Sequence, residues 1–243
     1  MFPSIRGWTD VERSHPANVK LGAVLAFVAG AANAGGFLAV GQYTSHMTGI
    51  LSSVADSLVL GQLTLGLAAV GALLAFLAGA MTTAVLVNWG LRRGLRSSYS
   101  LPLLLESATL LAFGLAGASM NAFAPLFLPL TVILLCFTMG LQNAVITKIS
   151  RAEIRTTHVT GLITDIGIEL GKLLYVNARA DTAPVLANRQ RLRIHSLLLA
   201  SFFAGGLFGA LGFKYAGFIT TVPLAIALCV LCLRPVLQDI RHV

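Results

Sequence analysis

Charge is what this sequence has least of. Asp, Glu, Lys and Arg make up 11% of its 243 residues, against about 25% in an ordinary soluble domain. A water-facing surface cannot be built from so few charges, so a conventional soluble fold is excluded. Cysteine is also sparse: the only three are Cys136, Cys229 and Cys232, all in apolar stretches. Cys229 and Cys232 have the C-x-x-C spacing. No second pair or nearby histidine completes a zinc site, however, and no βαβ pattern supports a redox motif. The thiols therefore read as small packing residues. H-E-x-x-H, G-x-S-x-G and G-x-x-x-x-G-K-[ST] are absent, which removes the usual signatures of zinc hydrolases, serine hydrolases and nucleotide-driven machines. No cofactor is expected. The first eighteen residues are polar and mixed in charge, unlike a cleavable signal peptide.

What is present is long apolar sequence. Hydrophobic residues make up 56% of the chain and the mean hydropathy is +0.84. Six runs stand out, at residues 21–40, 63–89, 101–120, 125–147, 196–213 and 216–233. The first four are long enough to cross a bilayer at ~20 residues each. The last two are shorter, are separated by Lys214 and Tyr215, and read as a tight hairpin. Alternating ten-residue segments of the barrel type do not occur. The expectation is an all-α polytopic transmembrane bundle of about six spans, forming a single membrane domain over residues 1–243.

Net charge is +8, which in a soluble protein would point to nucleic acid. Here positive charge has another use, because it retains loops in the cytoplasm. Arg6, Arg13 and Lys20 precede the first run, and Arg92, Arg93 and Arg96 separate the second from the third. Lys148, Arg151, Arg155, Lys172, Arg179, Arg189, Arg191 and Arg193 lie between the fourth and fifth, and Arg234 and Arg241 follow the last. With the N-terminus inside and six spans, every basic residue except Lys214 is cytoplasmic, and Lys214 can snorkel to the interface. Both termini are then expected inside, with the lipid bilayer and a small solute as partners and no nucleic acid. Association into a homo-oligomer stays open.

The two halves resemble one another. Phe27, Gly30, Asn33 and Ala34 recur in order as Phe137, Gly140, Asn143 and Ala144. Thr44-Ser45-His46-Met47-Thr48-Gly49 matches Thr156-Thr157-His158-Val159-Thr160-Gly161, and Phe76-Leu77-Ala78-Gly79 matches Phe202-Phe203-Ala204-Gly205. Three spans per repeat is an odd number, so the second repeat (about 130–235) enters the membrane in the opposite sense to the first (about 20–120). Transporters with such inverted repeats hold solute near the midplane between them. With Arg155 before the second T-x-x-T-G element, this pattern resembles the YoaK-type bacterial inner-membrane proteins, a family with a domain of unknown function. The resemblance covers nearly the whole chain. It implies a membrane class and a bacterial source, and it supplies no substrate or catalytic residue.

The candidate solute-binding residues are therefore argued from their chemistry. Residues 50–60, after the first T-x-H-x-T-G element, are too few to cross alone and fit a half-helix beginning near Thr48 and Gly49. Its free N–H groups and dipole would suit an anionic group, with Thr44, Thr48 and His46 beside it. Alternatively Thr44 and Ser45 cap a helix and His46 is interfacial. The second element, with Thr156, His158, Thr160 and Gly161, precedes an amphipathic segment at residues 162–175 carrying Asp165, Glu169 and Lys172. That segment either re-enters or lies on the cytoplasmic surface with its acids solvated; Asp165 is the acid kept as a candidate. Asn33 and Asn143 are coordination points or helix–helix glue. Glu106 is the one acid deep in a long span. It can carry a proton, or accept a hydrogen bond from Asn33 or Asn143. A transporter or channel for a small polar or anionic solute is the leading expectation, with a structural or assembly protein next. An intramembrane enzyme using His46, His158 and Asp165 or Asp56 comes last, since no recognised ligand spacing is present.

Overall fold

The computed structural model describes residues 8–11, 13–118, 124–150, 154–178 and 182–241. Over these residues the chain is helical, with no strand. The helices are α1 (His15–Val40), α2 (Met47–Val59), α3 (Leu63–Arg92), α4 (Ser100–Ala118), α5 (Ala124–Ser150), α6 (Val159–Leu174), α7 (Arg189–Tyr215) and α8 (Thr221–Arg241). Six segments are long and apolar enough to cross a membrane: α1, α3, α4, α5 from Pro129, α7, and α8 with the 3-10 turn Gly217–Thr220 ahead of it. They correspond to the six apolar runs but extend past them. α7 begins at Arg189 because the Asn188 side chain accepts a hydrogen bond from the Arg191 amide, 3.0 Å away, and caps the helix among polar residues. α2 and α6 are the short helices after the first and fourth spans. Arg6, Arg151 and Arg179 of the orientation argument lie outside the described residues.

Two helix pairs form the centre, α1 on α7 and α3 on α5. Both cross at Phe-x-x-Gly sequences, and the contact is reciprocal. A methyl group on Gly30 would overlap the Phe202 carbonyl oxygen, and one on Gly205 would overlap that of Phe27. Gly79 meets the Phe137 carbonyl and Gly140 that of Phe76 in the same way. Lipid tails are as apolar as the helices, so association in a bilayer depends on close packing, which glycine permits. Near the second crossing the Thr83 hydroxyl donates to the Leu141 carbonyl at 3.0 Å.

The contacts also give directions. α1 and α7 run parallel, with Gly22 beside Leu198 and Gly35 beside Phe213. α1 and α5 run opposite: Gly36 faces Leu135, and the Gln142 amide donates to the Leu25 carbonyl at 2.7 Å. α4 packs on α8, where Ser107 Oγ donates to the Ala225 carbonyl at 2.9 Å. It also packs on α5, where Thr138 Oγ1 donates to Thr109 Oγ1 at 2.8 Å. Leu67, Leu74, Leu77, Met81 and Val85 of α3 stay exposed, as do Phe203, Leu207 and Leu211 of α7. Apolar bands of this length on a soluble protein would drive aggregation; in a bilayer they face lipid. The Arg93 guanidinium lies 5.0 Å from the Trp89 ring and the Lys214 ammonium 5.2 Å from the Tyr215 ring. Such pairs belong where a span meets water.

Candidate functional site

α1 ends at Gly41, whose φ of 71° turns the chain sharply. The following residues fold back along α1. The Ser45 N–H and hydroxyl donate to Asn33 Oδ1 at 3.2 and 2.9 Å. Asn33 lies about two turns before the end of α1, so α2 starts ~11 Å beneath that end. It then returns outward along α3, with Ile50 clustered with Ala69 and Ala72, and Ser57 facing Gly66. Thr44 is fully buried and its hydroxyl has no hydrogen-bond partner among the described residues. The N-cap position is His46, so Thr44 and Ser45 are not the caps that the sequence allowed. The His46 ring sits over the first turn of α2, where a methyl group on Gly49 would strike it.

The second half repeats this arrangement with the equivalent residues. Thr157 Oγ1 donates to Asn143 Oδ1 at 2.7 Å, and Asn143 lies about two turns before the end of α5. Thr156 is fully buried, and its hydroxyl has no partner among the described residues. His158 is the N-cap of α6, and a methyl group on Gly161 would meet its ring. α6 lies antiparallel on α7. Glu169 Oε2 accepts the Asn188 N–H at 2.6 Å, and Asp165 Oδ2 lies 3.4 Å from Arg191 Nη2 and 3.6 Å from His195 Nδ1. These acids are not merely a solvated face: Glu169 is 2% exposed. The Lys172 ammonium, 2.8 Å from Glu169, and then the Asn188 amide hold its carboxyl below the usual glutamate range.

A cleft opens at the start of each short helix. The first-half cleft, about 510 Å³, is lined by Gln42, Tyr43, His46, Gly49, Ser53 and Ser57 among others. The second-half cleft, about 760 Å³, includes Arg155, His158, Thr160, Gly161, Asp165, Arg191 and His195. In the repeat frame Tyr43 corresponds to Arg155 and Ser53 to Asp165, so one cleft is neutral where the other is charged. His46 and Gly49 thus meet in one cleft, and His158, Thr160, Gly161 and Asp165 in the other; the two share no lining residue. Asn33 and Asn143 stand behind as anchors, Thr44 and Thr156 are buried behind the loops, and Thr48 is exposed beside the first cleft without lining it.

Glu106 lines neither cleft. It is fully buried on α4, and neither carboxyl oxygen has a hydrogen-bond partner among the described residues. The expected bonds to Asn33 or Asn143 are replaced by the Ser45 and Thr157 contacts. No group of three His, Cys, Asp or Glu residues placed to hold a metal occurs among the described residues. Sequence reasoning missed Tyr43, Ser53, Arg191 and His195. The repeat offset points to the first two, since it pairs them with Arg155 and Asp165. Arg191 and His195 have no counterpart signal, because they reach the cleft from α7.

Six membrane-length helices with two short helices folded back between them define a polytopic helical membrane protein. The chain belongs to the family described as protein of unknown function (DUF1275), whose model matches residues 21–233. No curated protein and no solved structure matches it.

Proposed function

We propose that this protein is a transporter or channel for a small polar or anionic solute, built as two inverted three-helix repeats in a bacterial inner membrane. One observation carries the reading. In each half an Asn about two turns before the end of a span anchors the start of a short helix at a cleft, with a histidine over its first turn. Broken elements of this kind present the positive ends of their dipoles to solute in inverted-repeat transporters. The opposite directions of α1 and α5 and the four reciprocal Phe–Gly contacts support the inverted arrangement. The one-sided basic residues support cytoplasmic termini.

Glu106 is the proton site of this reading, because a buried, unpartnered carboxyl is costly unless it has a use. His46→Ala and His158→Ala should each change uptake into reconstituted vesicles while leaving the melting temperature near that of the native protein. Glu106→Gln should abolish the pH dependence of uptake, since the amide keeps the shape but cannot ionise. The competing reading is a structural or assembly protein, favoured by the lack of a shared lining residue between the clefts. It requires the reverse pattern: lower melting temperatures, and unchanged uptake of any solute the native protein moves.

A further inference from the structure

We infer that the second-half cleft recognises an oxyanion, a carboxylate or phosphate group, presented from the side where α5 ends and α7 begins. Its transport meaning rests on the function proposed above; its binding chemistry does not. The cleft brings together two guanidinium groups, Arg155 and Arg191, two imidazoles, His158 and His195, and a single acid, Asp165. That acid is already engaged: Asp165 Oδ2 lies 3.4 Å from Arg191 and 3.6 Å from His195. Among the described residues, no carboxylate in the lining is left over to attract a cation. Among the described residues the lining also contains no Trp, Tyr or Phe, so a sugar ring or quaternary ammonium finds nothing there to stack on.

Arg155 is the group that selects the ligand. It is exposed, its guanidinium lies 3.4 Å from the His158 ring nitrogen, and no carboxylate pairs with it among the described residues. A guanidinium presents a planar fork of donors that fits two oxygens of one oxyanion at once. Thr160 adds a hydroxyl donor on the same wall, while the Thr164 hydroxyl is already donated to the Thr160 carbonyl at 2.9 Å. The first-half cleft supplies an internal comparison. It has the same backbone arrangement, anchoring Asn and N-cap histidine, but Tyr43 stands where the second half has Arg155. Oxyanion recognition is therefore one-sided, and a charged solute is gathered at the charged cleft.

The test uses the purified full-length protein in uncharged detergent. Inorganic phosphate and acetate are titrated at constant ionic strength against chloride, with calorimetry and melting temperature as readouts. Phosphate or acetate should bind and raise the melting temperature beyond the chloride control. Arg155→Gln should weaken binding about tenfold or more, with Arg155→Lys intermediate because it keeps charge but loses the fork. Arg234→Gln, which removes an exposed charge outside the cleft, should bind as the native protein does. Circular dichroism establishes that each variant is folded.

A lipid headgroup offers the same chemistry as free phosphate. Native mass spectrometry in anionic against zwitterionic nanodiscs separates the two sources, and retention of anionic lipid that is lost in Arg155→Gln supports the site equally. The inference is overturned if no oxyanion, free or lipid-borne, outperforms chloride, or if Arg155→Gln binds like the native protein. Anion binding without uptake in vesicles would remove the transport reading and leave the site; uptake without oxyanion binding would do the opposite.

Discussion

A histidine seated over a glycine is the smallest unit that both halves share, and its physical demand differs from that of the glycines at the helix crossings. At Gly49 and Gly161 an added methyl group meets an imidazole, which can swing aside. At Gly30, Gly79, Gly140 and Gly205 it meets a helix backbone, which cannot. Gly79→Ala should therefore lower the melting temperature more than Gly161→Ala does, with overpacking costs of about 1–3 kcal/mol as the scale. Gly71, in the middle of α3, has open space where a methyl group would stand. There alanine should stabilise the helix by about 0.5–1 kcal/mol. Thermal melts of the three variants rank these effects, and a Gly161→Ala loss exceeding that at Gly79 would refute the packing argument. Asn33, His46 and Gly49, with Asn143, His158 and Gly161, were legible as sites of interest because polar residues recurring at matched spacing are rare in apolar sequence. Their partners Ser45 and Thr157 were not, since hydroxyls serve equally well as caps.

The two short helices begin alike but are fastened differently. α2 lies on α3 through apolar contact around Ile50, Ala69 and Ala72. α6 is tied to α7 by Glu169 accepting the Asn188 N–H, and by Asp165 beside Arg191 and His195. The Glu169 carboxyl sits below its ordinary value of 4.5 through Lys172 and the Asn188 amide. Its contribution to stability is therefore present above that ordinary value and is lost as pH falls through the lowered one. Amide exchange in α6 should quicken on acidification from neutral pH into that range, while α2 keeps its protection. Glu169→Gln should remove the contrast. Loss of protection in α2 and α6 together would mean that the whole bundle, not this tie, is acid-sensitive. Sequence indicated that residues 50–60 were too few to cross alone. It could not choose between a surface helix and a folded-back one for α6, because the choice depends on Asn143 meeting Thr157 and on what α7 offers to the acids.

The bundle as a whole makes topology testable. Asp239 near the end of α8 accepts the N–H groups of Arg96 and Ser97 at 3.0 and 2.8 Å. The C-terminal end and the α3–α4 connection therefore share one face, whichever side of the membrane that is. Reporter fusions after Ser98 and at the C-terminus should both read cytoplasmic. A fusion after Asn121, which lies outside the described residues, should read periplasmic. A periplasmic C-terminus would rule out the N-in, C-in arrangement of six spans.

Sequence alone determined the membrane class and the six candidate spans, and it marked the two polar elements that follow the first and fourth. Apolar length and the scarcity of charge are local properties, readable without knowing what packs on what. The recurrence of Asn, His and Gly likewise marked the matching positions in the two halves. Only the tertiary structure decided which polar groups meet. It separated His46 from His158 into different clefts, brought Arg191 and His195 to Asp165, and left Glu106 without a hydrogen-bond partner among the described residues. The reason is physical. A helix in lipid is apolar on its outer and inner faces alike, so no periodicity announces which side turns inward. Rotation and crossing are set instead by glycine contacts between distant segments, such as Phe27 to Gly205 and Phe137 to Gly79, and those contacts exist only once the helices have packed.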